Sequence, residues 1–173
     1  GFEYQVAGHM IWEGLVQEGL AVARAVHDRY HPSRRNPWNE VECGDHYARS
    51  MASYGVYLAA CGFEYHGPHA HIGFAPRLSP ADFRAAFTSA QGWGTFQQKM
   101  EGKTFAAALT VRWGTLRVKT ISLAVPTRPT SVQVRVGGKP VQVTHSWDQE
   151  RLVVALAEEQ IVGIDQSVRL EIA

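Results

Sequence analysis

Between residues 36 and 49 the sequence reads NPWNEVECGDHYAR, which gathers Trp38, Glu40, Glu42, Asp45, His46 and Arg49 into one short stretch. Carboxylates, an imidazole and a guanidinium at this density suit a solvated ion-pair patch, a metal site or one wall of a polar pocket. In the first reading Asp45 and Arg49, four apart where a helix begins, form an ion pair worth roughly a few tenths of a kcal/mol. Asp45 serves equally well there as the N-cap, with Glu40 and Glu42 as loop carboxylates in water. The pocket reading starts from a misfit: Arg49 falls in the first turn or so, where the positive end of the helix dipole disfavours a cation. A carboxylate held in the preceding loop offsets that cost. Glu40 and Arg49 side by side would then present acceptors and forked donors, a pattern that grips two neighbouring sugar hydroxyls by charge-assisted hydrogen bonds. Trp38 would add an apolar wall for the ring face. Glu42 or Asp45 as a general acid is a further option. Glycoside cleavage, however, needs two carboxyl groups flanking one bond, roughly 5–9 Å apart, and residues three apart at a helix start need not face each other.

Other residues offer weaker chemistry. Glu3 and Tyr4 could line the same pocket, although buried, hydrogen-bonded structural roles suit them better. His66, His69 and His71 in HGPHAH are metal-ligand types, but the Gly67-Pro68 turn scatters the ring directions, and no cysteine or carboxylate completes a familiar spacing. No metal and no cofactor are therefore expected. Cys43 and Cys61, the two cysteines of the chain, are too few for a disulfide framework or a thiolate zinc site, and Cys43, beside Glu42, reads as a buried structural thiol and not a nucleophile.

The elements that must position these residues change character along the chain. From Val6 to Tyr30, Glu13, Gln17, Arg24 and Asp28 form one polar stripe on an otherwise apolar helix, which His31-Pro32 ends. Gly8, Gly14 and Gly19 each cost about 1 kcal/mol there relative to alanine, and close approach of another helix is the expected return. A second helix is predicted over residues 45–61, with Tyr47, Met51, Tyr54 and Leu58 as its buried face and Gly62 as its stop. An extended segment follows. SPAD at 79–82 then resembles a capping box and predicts a short helix carrying Phe83 and Phe87. From Trp93 onward, alternation takes over. Strands are predicted around 109–113, 116–118, 132–136, 141–143, 152–156 and 168–172, with Gly137-Gly138 as a hairpin turn. The fold class expected is α+β: a helical region over residues 1–91 and a β-rich, sandwich-like region over 92–173. The helical region reads as unfinished, since two long helices cannot cover one that is apolar on most sides.

Composition narrows the partners. Of 173 residues, 45% are hydrophobic and 19% charged, as in a packed globule. Seventeen basic residues against sixteen acidic ones, +1 with neutral histidines, leave no electrostatic case for nucleic acid. The best apolar run, residues 6–27, is interrupted by Glu13, Gln17, Glu18 and Arg24, so no membrane span is expected. The chain opens on GFEYQVAGHM, without a starting methionine and with residues of an element interior. Its true N-terminus is expected upstream, and the absence of a signal sequence says little about location; the cytoplasm is the expectation.

The string RRNPWNEVECGDHYARSMASYGVYLAACGFEYHGP, with GFAPRL and DFRAAFTSAQGWGTF after it and GFEYQVAGHMIWEGL before it, resembles glycoside hydrolase family 116. This is the family of non-lysosomal glucosylceramidases and related β-glucosidases. The match is good over about residues 1–97 and loose beyond. The resemblance implies the C-terminal part of an (α/α)6 barrel with an added β-sandwich, in a retaining enzyme whose glutamate nucleophile and aspartate acid/base lie upstream of this chain. It further implies that Glu40 and Arg49 bind the 4- and 6-hydroxyls of glucose. The expected partners are a β-glucoside or glucosylceramide-like substrate and the N-terminal part of the parent chain. By itself the chain is expected to be inactive. The alternative from the residues is a non-catalytic carbohydrate-binding or structural β module, and a weaker one is a metal-dependent protein using the three histidines.

Overall fold

The structure, a computed structural model, describes residues 1–29, 33, 50–102 and 104–173. The chain forms two compact units, residues 1–62 and residues 63–173. The first is helical. Helix α1 spans Phe2–Trp12, α2 Val16–Arg29 and α3 Ser50–Cys61. The long first helix expected from the periodicity is thus two helices. Gly14, at φ +89°, sits in the break, a backbone region that glycine enters at little cost. Nothing lies within 4 Å of where its Cβ would be, so Gly14 makes a turn and not a close approach. Gly19 and Gly8 behave as expected. A Cβ on Gly19 would stand 2.7 Å from the carbonyl oxygen of Ala7, and one on Gly8 would stand 3.5 Å from that of Gly55, so α2 and α3 both lie close against α1.

The core of this unit is Tyr4, Ala7, Ile11, Val26, Val56 and Ala59, with Leu20, Val22, Ala23 and Ala52 packed around it. The buried side of α3 differs from the sequence expectation. Met51 and Tyr54 are exposed while Val56, Ala59 and Cys61 are inside, because the small residues of α3 admit the closer packing against α1. Gly62, at φ +54°, donates to the Ala59 carbonyl and stops the helix as predicted. Among the described residues three α-helices are present, and no helix is long and apolar enough to cross a membrane.

The second unit is β. Its strands are β1 Glu64–His66, β2 His71–Phe74, β3 Asp82–Thr88, β4 Gly92–Glu101, β5 Thr104–Gly114, β6 Leu116–Ala124, β7 Val132–Val136, β8 Lys139–Val141, β9 Val143–Asp148, β10 Arg151–Val162 and β11 Ser167–Ile172. They form a five-stranded sheet, β1-β2-β6-β10-β9, and a six-stranded sheet, β3-β4-β5-β11-β7-β8. All pairings are antiparallel except β2 with β6. The two inner faces meet in a sandwich-like arrangement: Phe74 of the first sheet stacks on Phe96 of the second at 3.9 Å between ring centroids. Ile72, Leu109, Val118, Ile121, Leu123, Leu152, Val154 and Val168 are wholly buried around them. Each such side chain contributes about 1.5–3 kcal/mol by leaving water.

Strand structure begins at Glu64, upstream of the change in periodicity near residue 92, and the predicted helix after SPAD is strand β3. Phe83 and Phe87 are four apart, a spacing that serves one helix face and one strand face alike. Ala85, buried between them, shows the period to be two. Gly137 and Gly138, both at positive φ, make the predicted two-residue hairpin between Val136 and Lys139.

Candidate functional site

Trp38, Glu40 and Arg49 lie outside the described residues, as do Cys43 and the start of the predicted second helix. Glu3 and Tyr4 are described, and the structure gives them different surroundings. Tyr4 belongs to the helical core and also borders a cleft of about 610 Å³, together with Gln5, His9, Trp12, Met51 and Gly55. Glu3, one residue earlier, points toward the end of α2, where Arg29 binds its carboxylate with two guanidinium nitrogens, Nη1 at 3.1 Å from Oε1. The hydrogen bonds from Arg29 hold the Glu3 carboxyl below the usual range.

Helix geometry explains the cleft. Tyr4, Gly8 and Trp12 lie four apart on α1 and therefore share one face, while Met51, Ala52 and Gly55 line the facing side on α3. The glycines at the crossing leave the volume empty. An indole, a phenol, an imidazole and an amide around such a space suit a ligand with one apolar face and several hydroxyls. Among the described residues lining it there is no carboxylate.

The densest polar cluster among the described residues is elsewhere, on the five-stranded sheet. Arg151 Nη2 donates to Glu64 Oε1 at 2.7 Å and to Ser122 Oγ at 2.8 Å, and Arg151 Nη1 donates to the Phe74 carbonyl at 3.1 Å. Ser122 donates to Glu64 Oε2 at 3.1 Å. His71 is held at both ring nitrogens, Nδ1 by Thr120 Oγ1 at 2.8 Å and Nε2 by Ser122 Oγ at 3.3 Å. Burial pushes the Glu64 carboxyl up, but the charge and hydrogen bonds of Arg151, with those of Ser122 and His71, outweigh it and leave the group below the usual range.

Serine, histidine and glutamate in contact raise the question of a nucleophilic triad. The geometry answers no. A triad orients its histidine through the nitrogen remote from the serine, whereas here serine and glutamate crowd the same nitrogen and Thr120 takes the other. Ser122 is also only 2% exposed. The cluster is a clamp that ties β1, β2, β6 and β10 together across the sheet face. Gly73 lies beneath it, and a Cβ there would meet Ser122 Oγ at 2.1 Å. Sequence reasoning missed this cluster, because Glu64, His71, Ser122 and Arg151 come together only through strand register.

The clamp also separates the three histidines. His71 is committed to it, while His66 and His69 stack on each other at 4.4 Å between ring centroids. Among the described residues no group of three or more histidines, cysteines or acidic residues is placed to hold a metal ion.

A scan of protein-family models returns no match to this chain, and a comparison with curated proteins returns none either. Solved structures do show likeness. One is a GH127 β-L-arabinofuranosidase from Geobacillus stearothermophilus T6, with 14% identity over 73% of this chain and a TM-score of 0.43. Another is an α-L-rhamnosidase from Dictyoglumus thermophilum, with 14% identity over 70% of this chain and a TM-score of 0.39. A third is described as a glycoside hydrolase, with 12% identity over 76% of this chain and a TM-score of 0.37. These three neighbours are all glycoside hydrolases, and the chain spans 18%, 13% and 20% of their respective lengths.

Proposed function

We propose that this chain is the C-terminal portion of a retaining β-glucosidase or glucosylceramidase-like hydrolase, and that its helical unit supplies part of the glucose-binding wall of an (α/α)6 barrel. The observation that carries the reading is the junction of motif and cleft. The stretch NPWNEVECGDHYAR leads in sequence straight into α3, whose first turn, Met51 and Ala52, lines the cleft beside Tyr4 and Trp12. In this reading Glu40 accepts from, and Arg49 donates to, neighbouring sugar hydroxyls, Trp38 covers the ring face, and the catalytic carboxylates come from the parent chain. The apolar side chains left exposed on the helices, Phe2 and Met51 among them, fit a barrel wall whose other helices lie outside this chain.

The test is calorimetric titration of the 173-residue chain with methyl β-D-glucoside, alongside a turnover assay with an aryl β-glucoside. Weak binding is expected, weakened at least tenfold by Glu40→Ala or Arg49→Ala, as loss of a charge-assisted hydrogen bond of about 1.5–3 kcal/mol requires. No turnover is expected. Binding that is absent, or indifferent to both substitutions, overturns the assigned wall. Turnover abolished by Glu40→Ala would make this chain catalytic and overturn the division of labour.

A further inference from the structure

The outward face of the six-stranded sheet carries a constellation that neither the helical cleft nor the clamp uses. Strand register places Arg84, Gln97, Ala108, Arg169 and Arg135 in one row across β3, β4, β5, β11 and β7. Arg169 and Arg135 are directly opposed, an arrangement of like charges that costs stability. None of the three guanidiniums has an ion-pair partner among the described residues: Arg169 donates to Ser167 Oγ and Arg135 to the Gly138 carbonyl. The next row runs Asp82, Lys99, Ala106, Glu171. Long polar side chains thus surround two alanines, and a cleft of about 550 Å³ opens above them. Further along β4 and β5, Trp93 and Trp113 are paired across the two strands and remain 48% and 60% exposed.

We infer that this face binds an acidic oligosaccharide, an extended glycan bearing carboxylates, independently of the hydrolase reading. The chemistry selects the ligand. Two solvent-exposed indoles side by side offer apolar platforms for sugar rings and are costly to leave bare. The unpaired guanidiniums call for carboxylates, which they bind in forked geometry. Asp82 and Glu171 flank the row as acceptors for the hydroxyl protons that a glycan supplies. A ligand with apolar ring faces, hydroxyl donors and spaced carboxylates meets all three demands. From Trp93 to Lys99 the strand runs about 20 Å at 3.4 Å per residue, the reach of a short oligosaccharide.

Calorimetry on the full 173-residue chain tests this, with tetragalacturonate and the neutral cellotetraose as probes. Tetragalacturonate is expected to bind with a Kd of about 1 mM or tighter, and more tightly than cellotetraose. R84A/R169A should weaken it about tenfold or more while leaving the circular dichroism spectrum unchanged, since both arginines are exposed. Trp113→Ala should weaken both probes. Absence of tetragalacturonate binding overturns the proposal, as does equal affinity for the two probes that ignores R84A/R169A. Sedimentation of the free chain as a dimer that Trp113→Ala dissociates would assign the face to self-association instead.

Discussion

At the scale of single residues, Glu64 and Gly73 show how tightly the clamp is built. The folded Glu64 carboxyl titrates below its ordinary value, because Arg151, Ser122 and His71 together outweigh the opposing effect of burial. A carboxyl lowered on folding contributes stability that is present above its unfolded pKa and is lost as pH falls through the folded one. Thermal midpoints of the native chain should therefore drop below the ordinary carboxylate range, and Glu64→Gln should show a shallower drop over the same acid window. At neutral pH Glu64→Gln should cost about 1–2 kcal/mol, the worth of a half-exposed charge-assisted contact. A glutamine profile parallel to the native one would show that Glu64 does not govern the acid limb. Gly73→Ala puts a methyl where Ser122 Oγ stands and should cost about 1–3 kcal/mol, as overpacking does. Ser122→Ala in that background should restore part of the loss, because it removes the oxygen in the way. None of this was legible from HGPHAH or from Ser122, whose neighbours in sequence say nothing of their neighbours across strands.

At the scale of elements, the sequence was most readable where one period excluded the other. Alternating valines with Gly137-Gly138 between them admit only a hairpin, and β7 and β8 form it. Phe83 and Phe87 satisfied both periods, so the residue between them had to decide. Gly8, Gly14 and Gly19 were read as one class and Gly55 was not read at all, yet the glycines of the helical unit do different work, and substitution should separate them. Gly19→Ala drives a Cβ into the Ala7 carbonyl and Ile11, and should destabilise by about 1–3 kcal/mol despite the gain in helix propensity. Gly55 has nothing within 4 Å of its Cβ position, so Gly55→Ala should stabilise α3 by about 1 kcal/mol. Because Gly55 lines the helical cleft, the same variant should also weaken methyl β-D-glucoside. Denaturant midpoints and the glucoside titration check the two effects separately. A Gly55→Ala chain that is more stable and binds as before would place the ligand away from this cleft.

At the scale of the whole molecule, the two units differ in how much apolar surface they bury. Among the described residues, most of the fully buried side chains, Phe74, Phe96, Leu109, Ile121 and Leu123 among them, belong to the β unit. The helical core is Tyr4, Ala7, Ile11, Val26, Val56 and Ala59, while Phe2 and Met51 stay largely and Val6 and Leu15 half in water. Hydrophobic stabilisation scales with apolar area removed from water, so the helical unit should melt first and the β unit last. Calorimetry of the chain should show two transitions, with the helical circular dichroism signal lost in the lower one. Ile11→Ala, which empties a fully buried position in the helical core, should lower the first transition by the equivalent of about 2–5 kcal/mol and leave the second in place. Leu123→Ala should do the reverse. A single transition that both substitutions shift equally would show that the two units fold as one cooperative body, and that the exposed apolar face of the helices does not weaken them.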